Sequence, residues 1–463
     1  MTPPQAPALP PIAAMRQVVQ DGHSRPLAWR LQQLQRLEAL LTSHHQQVVD
    51  ALAQDLGKPP LEAHFELVAV RQELRHTRRH LRRWMAPRSL ALAPYLLPAQ
   101  AELLREPLGC VLIISPWNYP FQLCLHPLVS ALAAGNTAVL KPSEHTPATA
   151  ALIAELIPQH FDTTVVQVVL GDGGVAAALL EQRFDHIFFT GGGRVGQLVM
   201  AAAARHLTTV TLELGGKSPA IVLGDAPLAI TARRLIWGKG FNAGQTCVAP
   251  DYVLVERPLI QPLVAELAAQ RTRLYGADPL HSPDLGCIVN AQQFGRLEAL
   301  LQGAHARGQV VIGGGSDPQR RRIEPTVMQL TSADDPLMHE ELFGPLLPLL
   351  PIDNLDDALA FINDRPKPLA LYLFSQDAQA QQRTAAATSS GSLVFNDVLM
   401  HAGDANLPFG GVGASGMGRY HGEAGFQTFS HERTVLKRPF WGDVPLRYPP
   451  YAGKLPWLQR LMG

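Results

Sequence analysis

From residue 110 to residue 214 the chain alternates at short intervals between β-rich and helical runs, and no other feature restricts its fold so tightly. Strands are expected at 111–115, 138–141, 165–170, 186–190 and 208–214. Helices are expected between them at 122–134, 148–156, 175–181 and 195–206. The turns are short and hold Gly135-Asn136, Gly171-Asp172-Gly173-Gly174 and Gly191-Gly192-Gly193. Strand–helix–strand crossovers of this kind build a parallel sheet with helices on its faces. Such sheets take their ligands at the carboxyl ends of the strands. After Gly215 the alternation resumes, with strands expected at 220–223, 252–256, 310–312, 371–375 and 392–396. The fold class is therefore α/β, with two open-sheet domains.

A length of 463 residues agrees with two domains. At 46% hydrophobic and 17% charged the chain can bury sizeable cores, which argues against disorder. Lys+Arg and Asp+Glu both number 39, so no global field favours nucleic acid or an anionic membrane. The start, MTPPQAPALPPIAAM, has no basic end, and prolines break its apolar residues, so it does not read as a secretory signal. No run of 18 apolar residues appears, so no spanning helix is expected. Cys110, Cys124, Cys247 and Cys287 form no CxxC pair, and no metal site is expected. A reducing cytoplasm is the default compartment for free thiols, with peripheral membrane contact by the tail as a weaker option.

Outside the alternating regions, residues 1–14 read as a proline-rich extended arm or a mobile end, and 27–56 as a helical run ended by Gly57 and Pro59. Residues 61–85 form a helix with Arg71, Arg75, Arg78, Arg79, Arg82 and Arg83. Glu62, Glu66 and Glu73 interrupt its charge and only Trp84 could stack on a base, so a solvated or subunit-facing helix is preferred to a nucleic-acid patch. The prolines of 87–107 suggest a protruding hairpin or a connector, and 402–425 reads as a glycine-rich loop. The stretch from 430 to the end is a tail rich in aromatics and proline.

Several turns carry residues suited to chemistry. Cys247 sits among small and polar neighbours in Asn242-Ala243-Gly244-Gln245-Thr246-Cys247. Taken alone it reads first as a buried structural thiol. Gly191, Gly193 and Gly196 spell G-x-G-x-x-G between a strand and a helix, with Glu213 about 20 residues on, where a dinucleotide fingerprint places its ribose acid. The unit follows the fourth strand of the series rather than the first, which weakens that role for Glu213. Lys141 and Glu144, after the second strand, are the better ribose candidates; Glu144 would repel a 2′-phosphate and Lys141 would tolerate one, so NAD and NADP both stay open. Ser143 reads equally as a helix cap. Asn118 lies in the stiff turn Pro116-Trp117-Asn118-Tyr119-Pro120. It reads as a turn former, or as a fixed amide donor for a developing oxyanion. Glu213-Leu214-Gly215-Gly216-Lys217 places a carboxylate at a tight turn that also serves as a hinge.

Together these motifs, with Glu341-Leu342-Phe343-Gly344-Pro345 and Leu407-Pro408-Phe409-Gly410-Gly411, resemble the aldehyde dehydrogenase superfamily over nearly the whole chain. Cys247-Val248-Ala249-Pro250-Asp251-Tyr252, Tyr420-His421-Gly422 and Arg447-Tyr448-Pro449-Pro450-Tyr451 resemble its class 3 branch, which includes fatty, aromatic and coniferyl aldehyde dehydrogenases. Gly192-Gly193 departs from the family, where many members carry a Ser and another small residue.

The resemblance implies two Rossmann-like domains, cofactor-binding at 1–88 and 108–214 and catalytic at 215–429. It adds an oligomerisation arm at 89–107 and 430–445, and a tail, 446–463, near the substrate mouth. It implies NAD(P)-dependent oxidation of an aldehyde, medium- or long-chain aliphatic or aromatic, to the acid, by a homodimer. Cys247 would be the nucleophile, Asn118 the oxyanion donor and Glu213 the base that hydrolyses the thioester. Trp117, Lys141, Glu144, Gly191, Gly196, Glu341 and Phe343 would hold the cofactor, although Phe343 reads equally as core. Rival readings on the same scaffold are a CoA-acylating enzyme and a non-catalytic binding protein. Glu213 argues against the first, and the presence of Cys247 and Asn118 against the second.

Overall fold

The computed structural model describes residues 10–462. Three helices, α1 (Ile12–Gln20), α2 (Leu27–Ser43) and α3 (His45–Leu56), precede the long α4 (Pro60–Met85). The expected extended arm lies partly outside the described residues, and Ile12 onward is helical instead, because Ile12, Met15 and Val19 share one face and bury it. The run expected at 27–56 breaks at His44, whose backbone leaves the helical region, and ends at Gly57 in the left-handed conformation (φ +58°).

A three-stranded antiparallel sheet follows, with β1 (Arg88–Leu90) on one side of β2 (Gln100–Pro107). The expected hairpin is present. The other side of β2 pairs with the late strand introduced below as β18, over eight residues from Ser430↔Pro107 to Lys437↔Gln100.

The alternation predicted from residue 110 appears as β3 (Cys110–Ile114), α5 (Gln122–Ala134), β4 (Thr137–Lys141), α6 (Pro147–His160), β5 (Val166–Val168), α7 (Gly173–Leu180), β6 (His186–Thr190), α8 (Gly193–Ala204) and β7 (Thr209–Glu213). The sheet order is β7-β6-β3-β4-β5, with all four pairings parallel. The first and fourth strands of the series, β3 and β6, are thus neighbours, and the strand order reverses between them. A crevice opens at such a switch point. The glycine turn after β6 therefore borders it although it belongs to the fourth unit.

The second domain holds β8 (Pro219–Val222), α9 (Leu228–Gly240), β9 (Tyr252–Glu256), α10 (Ile260–Tyr275), α11 (Ala291–Ala306), β10 (Val310–Ile312), the small pair β11 (Ser316–Asp317) and β12 (Arg322–Ile323), β13 (Thr326–Gln329), β14 (Leu346–Ile352), α12 (Leu355–Asn363), β15 (Ala370–Phe374), α13 (Ala378–Ala387) and β16 (Ser392–Phe395). Its sheet runs β10-β13-β14-β9-β8-β15-β16. The central strand β14 escapes the sequence reading because Pro348 and Pro351 lie in it, and proline is normally confined to sheet edges. Its remaining apolar side chains are buried almost throughout.

The last segment crosses back. β17 (Gly416–Met417) pairs antiparallel with β7, α14 (Gly422–Thr428) packs on α5, and β18 (Ser430–Lys437) joins the arm. The expected domain boundary at 429 is corrected, since 416–428 belongs to the first domain's sheet and helices. In the tail, α15 (Leu455–Met462) follows a segment that leans on the arm, where Arg438 donates to the Leu96 carbonyl at 3.2 Å. No helix among the described residues is long and apolar enough to cross a membrane.

Candidate active site

The crevice lies between opposite edges of the two sheets. The carboxyl edge of the first contributes the turn after β3 with Trp117 and Asn118, the turn after β6, and Glu213 at the end of β7. The amino edge of the second contributes Gly215-Gly216 before β8, Cys247 before β9 and Glu341-Leu342-Phe343 before β14. Trp117 and Phe343 meet across the crevice, edge to face, with ring centres 5.2 Å apart.

Cys247 follows a turn that most side chains resist. Asn242 and Ala243 both have φ of +51° and Gly244 +74°. A left-handed non-glycine residue costs roughly 1 kcal/mol or more, so the surroundings must hold it. Gln245 supplies much of that hold. Its amide donates to the Asn242 and Cys287 carbonyls at 3.0 Å each and accepts from the Val289 amide at 2.9 Å. Thr246 Oγ1 lies 2.5 Å from the Tyr119 hydroxyl, and Tyr372 donates to the Val248 carbonyl at 2.5 Å. Cys247 is thereby clamped on both sides.

The sulfur opens on a cavity of about 630 Å³. Its walls are mainly apolar, from Phe65, Val68, Leu123, Trp237, Phe241 and Phe409, with Gln72, Arg75, His76 and Asn406 as polar parts. Among the described residues, none beyond Tyr420 lines it.

Asn118 is buried, and its Nδ2 donates to the Gln245 carbonyl at 3.1 Å. A primary amide has two N–H groups, so one remains to be aimed elsewhere. Glu213 is 3% exposed, and neither carboxylate oxygen has a hydrogen-bond partner. Burial pushes its carboxyl well above the usual range. Burial, with the Glu341 and Glu213 carboxylates nearby, pushes the Cys247 thiol up to about 12. Two acids and the thiol thus share one poorly solvated space. Glu341 lies against Gly215, where an added Cβ would sit 2.0 Å from Oε2. Burial and Asp251 push its carboxyl up to about 8, against the Gly216 amide, Lys217 and Lys239.

At the first sheet's edge, Lys141 is buried and its Nζ donates to Glu144 at 3.0 Å and to the Pro142 carbonyl at 3.1 Å, leaving Glu144 at the surface. The glycine assignments shift. A Cβ on Gly196 would come within 2.8 Å of Leu214 Cδ2, so Gly196 serves helix-to-strand packing rather than an approaching phosphate. On Gly191 it would meet the Phe189 ring at 2.5 Å. Gly192 and Gly193 are the open ones, exposed, with nothing within 4 Å of a built Cβ. His421 is buried, stacked on His126 with ring centres 4.4 Å apart, and burial drives its imidazole well below the ordinary value. That environment suits a loop-holding residue better than a base.

The sequence reading missed the backing of the site. The three glutamates of α4, read as part of a solvated face, point inward at spacings of four and seven residues. Glu62 accepts from the Asn242 amide at 2.9 Å, Glu66 from the Phe121 and Gln122 amides at 3.1 and 2.9 Å, and Glu73 from the Gly422 amide at 2.9 Å. Each one grips a loop of the site. Acids recurring on the same face as Leu67, Val70 and Leu74 were the available signal. Trp84 is buried against Phe426 and offers no surface for a base.

Comparison with known proteins agrees with this geometry. The family model described as the aldehyde dehydrogenase family matches residues 11–435. Aldehyde dehydrogenase family 3 member H1 of Arabidopsis thaliana is 44% identical over 454 residues, covering 97% of this chain and 94% of that protein. The substrate-bound structure of Staphylococcus aureus AldH superposes with a TM-score of 0.94 at 41% identity, over 97% of this chain and 98% of that one. An indole-3-acetaldehyde dehydrogenase in complex with NAD+ superposes with a TM-score of 0.84 at 28% identity, covering 92% and 88%.

Proposed function

Because this chain belongs to the aldehyde dehydrogenase family, its reaction is the NAD(P)-dependent oxidation of an aldehyde to an acid, and we propose that Cys247, Asn118 and Glu213 carry it. The observation that carries this reading is Glu213, a buried acid without hydrogen-bond partners in the same space as the half-buried thiol of Cys247. A structural acid would be hydrogen-bonded.

Residues for the cofactor fit a dinucleotide. Gly192 and Gly193 present open backbone at the N-terminus of the 12-residue α8, beside the switch point, where a pyrophosphate is favoured. Lys141 and Glu144 would take the adenosine ribose, and Trp117, Glu341 and Phe343 would bound the nicotinamide end. The bound cofactor supplies a nicotinamide ring that accepts the hydride.

Cys247 attacks the aldehyde carbon as its thiolate, which the backbone amides of Cys247 and Val248 favour. The oxyanion of the thiohemiacetal is met by the free N–H of Asn118 and the Cys247 amide. As the oxyanion collapses the carbon loses hydride, leaving a thioester on Cys247. Glu213 then takes a proton from water, the hydroxide adds to the thioester, and the acid departs with the thiolate restored. Asn118→Ala is expected to slow the first turnover by about a hundredfold or more, with cofactor affinity unchanged, as read by rapid mixing.

The apolar cavity supports medium- or long-chain aliphatic or aromatic aldehydes as substrates. The eight-residue edge strand β18, largely exposed, supports a homodimer formed at the arm. A reducing, cytoplasmic setting suits four free cysteines, one of them reactive. The direct test mixes the protein with NAD or NADP, a homologous series of aldehydes, and CoA in a parallel set. Reduced cofactor with free acid as product is the expected result, and acyl-CoA as product would replace this reading with the acylating one.

A further inference from the structure

The Asn118 side chain can serve an oxyanion only if its backbone is held still, and the hold comes from outside its own turn, from Lys58 just before α4 and from Asn242. The Asn118 carbonyl oxygen accepts two hydrogen bonds, from Lys58 Nζ at 2.8 Å and from Asn242 Nδ2 at 2.8 Å. Both donors are themselves fixed. Lys58 Nζ is 2.5 Å from Glu66 Oε1, in an ion pair with no exposed side-chain surface on either partner. The other oxygen of Glu66 takes the Phe121 and Gln122 amides, so one carboxylate grips the turn after Asn118 while its lysine grips Asn118 itself. Asn242 is fixed through its own amide by Glu62. Its Nδ2 and that of Asn118 both donate to the Gln245 carbonyl, at 3.0 and 3.1 Å, two residues before the nucleophile.

We infer that Lys58 and Glu66 are positioning residues that set the Asn118 amide relative to Cys247, with Asn242 as the link between the oxyanion donor and the nucleophile's turn. The inference rests on the role given above to Asn118. The pair touches no reacting atom. An ion pair this deep gains little stability over an apolar pair of similar volume, so its retention calls for another reason. Here that reason is direction: the lysine places one donor on the Asn118 carbonyl, and the glutamate places two acceptor contacts on the following turn. Freedom of about 1 Å at a reacting group can cost on the order of a hundredfold in rate.

The test separates position from stability. Removing one partner leaves the other charge buried alone, so Glu66→Gln and Lys58→Met are expected to fold less stably and to lose rate together. The double variant Lys58→Met/Glu66→Leu removes both charges and is expected to recover most of the lost Tm. Its single-turnover rate of cofactor reduction, measured with hexanal and NAD, is expected to stay about tenfold to a hundredfold below wild type. Its cofactor affinity is expected to stay within about twofold, since a displaced donor affects the step and not the binding. Asn242→Gly keeps the left-handed backbone, which glycine adopts freely, and removes the link without disturbing any buried charge. It is expected to slow the same phase, and it decides the matter if the double variant does not fold. A double variant with wild-type rate and restored Tm, or Asn242→Gly with an unchanged rate, would overturn the inference. Asn118→Ala is run alongside: no slowing there would remove the oxyanion role itself, whereas slowing there with none in the other variants removes only the part assigned to Lys58, Glu66 and Asn242.

Discussion

Cys247→Ala is expected to reduce aldehyde oxidation by on the order of a millionfold, below detection in a steady-state assay of cofactor reduction. The two sheets supply one thiol at the cavity, and the other three cysteines are buried away from it. Cys110, Cys124 and Cys287 line no part of that cavity, so none can reach an aldehyde held there as a substitute nucleophile. The Cys247 thiol, itself pushed up to about 12 by burial and by Glu341 and Glu213, is protonated at neutral pH in the free protein. Alkylation of the free enzyme should therefore be slow near pH 7 and rise steeply with pH. Added NAD is expected to move that rise to lower pH, because a cationic ring held between Trp117, Glu341 and Phe343 would favour the thiolate. An alkylation profile that ignores NAD would assign the activation wholly to the protein. Measurable aldehyde oxidation by the alanine variant would end the nucleophile's role.

Glu213→Gln should keep a first turnover of hydride transfer and lose about 10²- to 10⁴-fold in steady-state rate. Glutamine has the shape of the carboxylate but cannot take a proton from water, so the thioester should accumulate on Cys247 and be visible as an added acyl mass. The same substitution has a consequence for stability. Glu213 binds its proton more tightly when folded, since burial raises its folded value above the ordinary one. Its contribution is therefore fully present below about 4.5 and is lost as pH rises toward the folded value. The variant has no such loss, so its Tm should gain on wild type as pH rises above about 5. A raised Michaelis constant for the cofactor with intact turnover would instead make Glu213 the ribose acid of the literal glycine fingerprint.

The local elements were legible because each is written in a short period. The alternation after residue 110 appears with its strands and helices in the expected order, and 122–134 and 186–190 appear with the expected ends. Departures have local causes, such as prolines inside β14 and the His44 break between α2 and α3. The α4 glutamates show a harder limit. Their charge argued for solvent, and only a list of the backbone amides facing them shows why they are buried.

What the sequence determined by itself is the set of chemical groups and the turns that carry them: a thiol, an amide and an acid, each beside glycine or proline in a stiff corner. Tertiary structure alone decided that the carboxyl edge of one sheet faces the amino edge of the other, so that Glu213, Asn118 and Cys247 meet although they lie up to 129 residues apart. It also decided which glycines are open: Gly191 and Gly196 are filled by Phe189 and Leu214, and Gly192 and Gly193 face free space. The reason is that side-chain periodicity and turn chemistry act between near neighbours. Strand order, burial and the partners of a carboxylate depend on which distant segments the folded chain brings beside it.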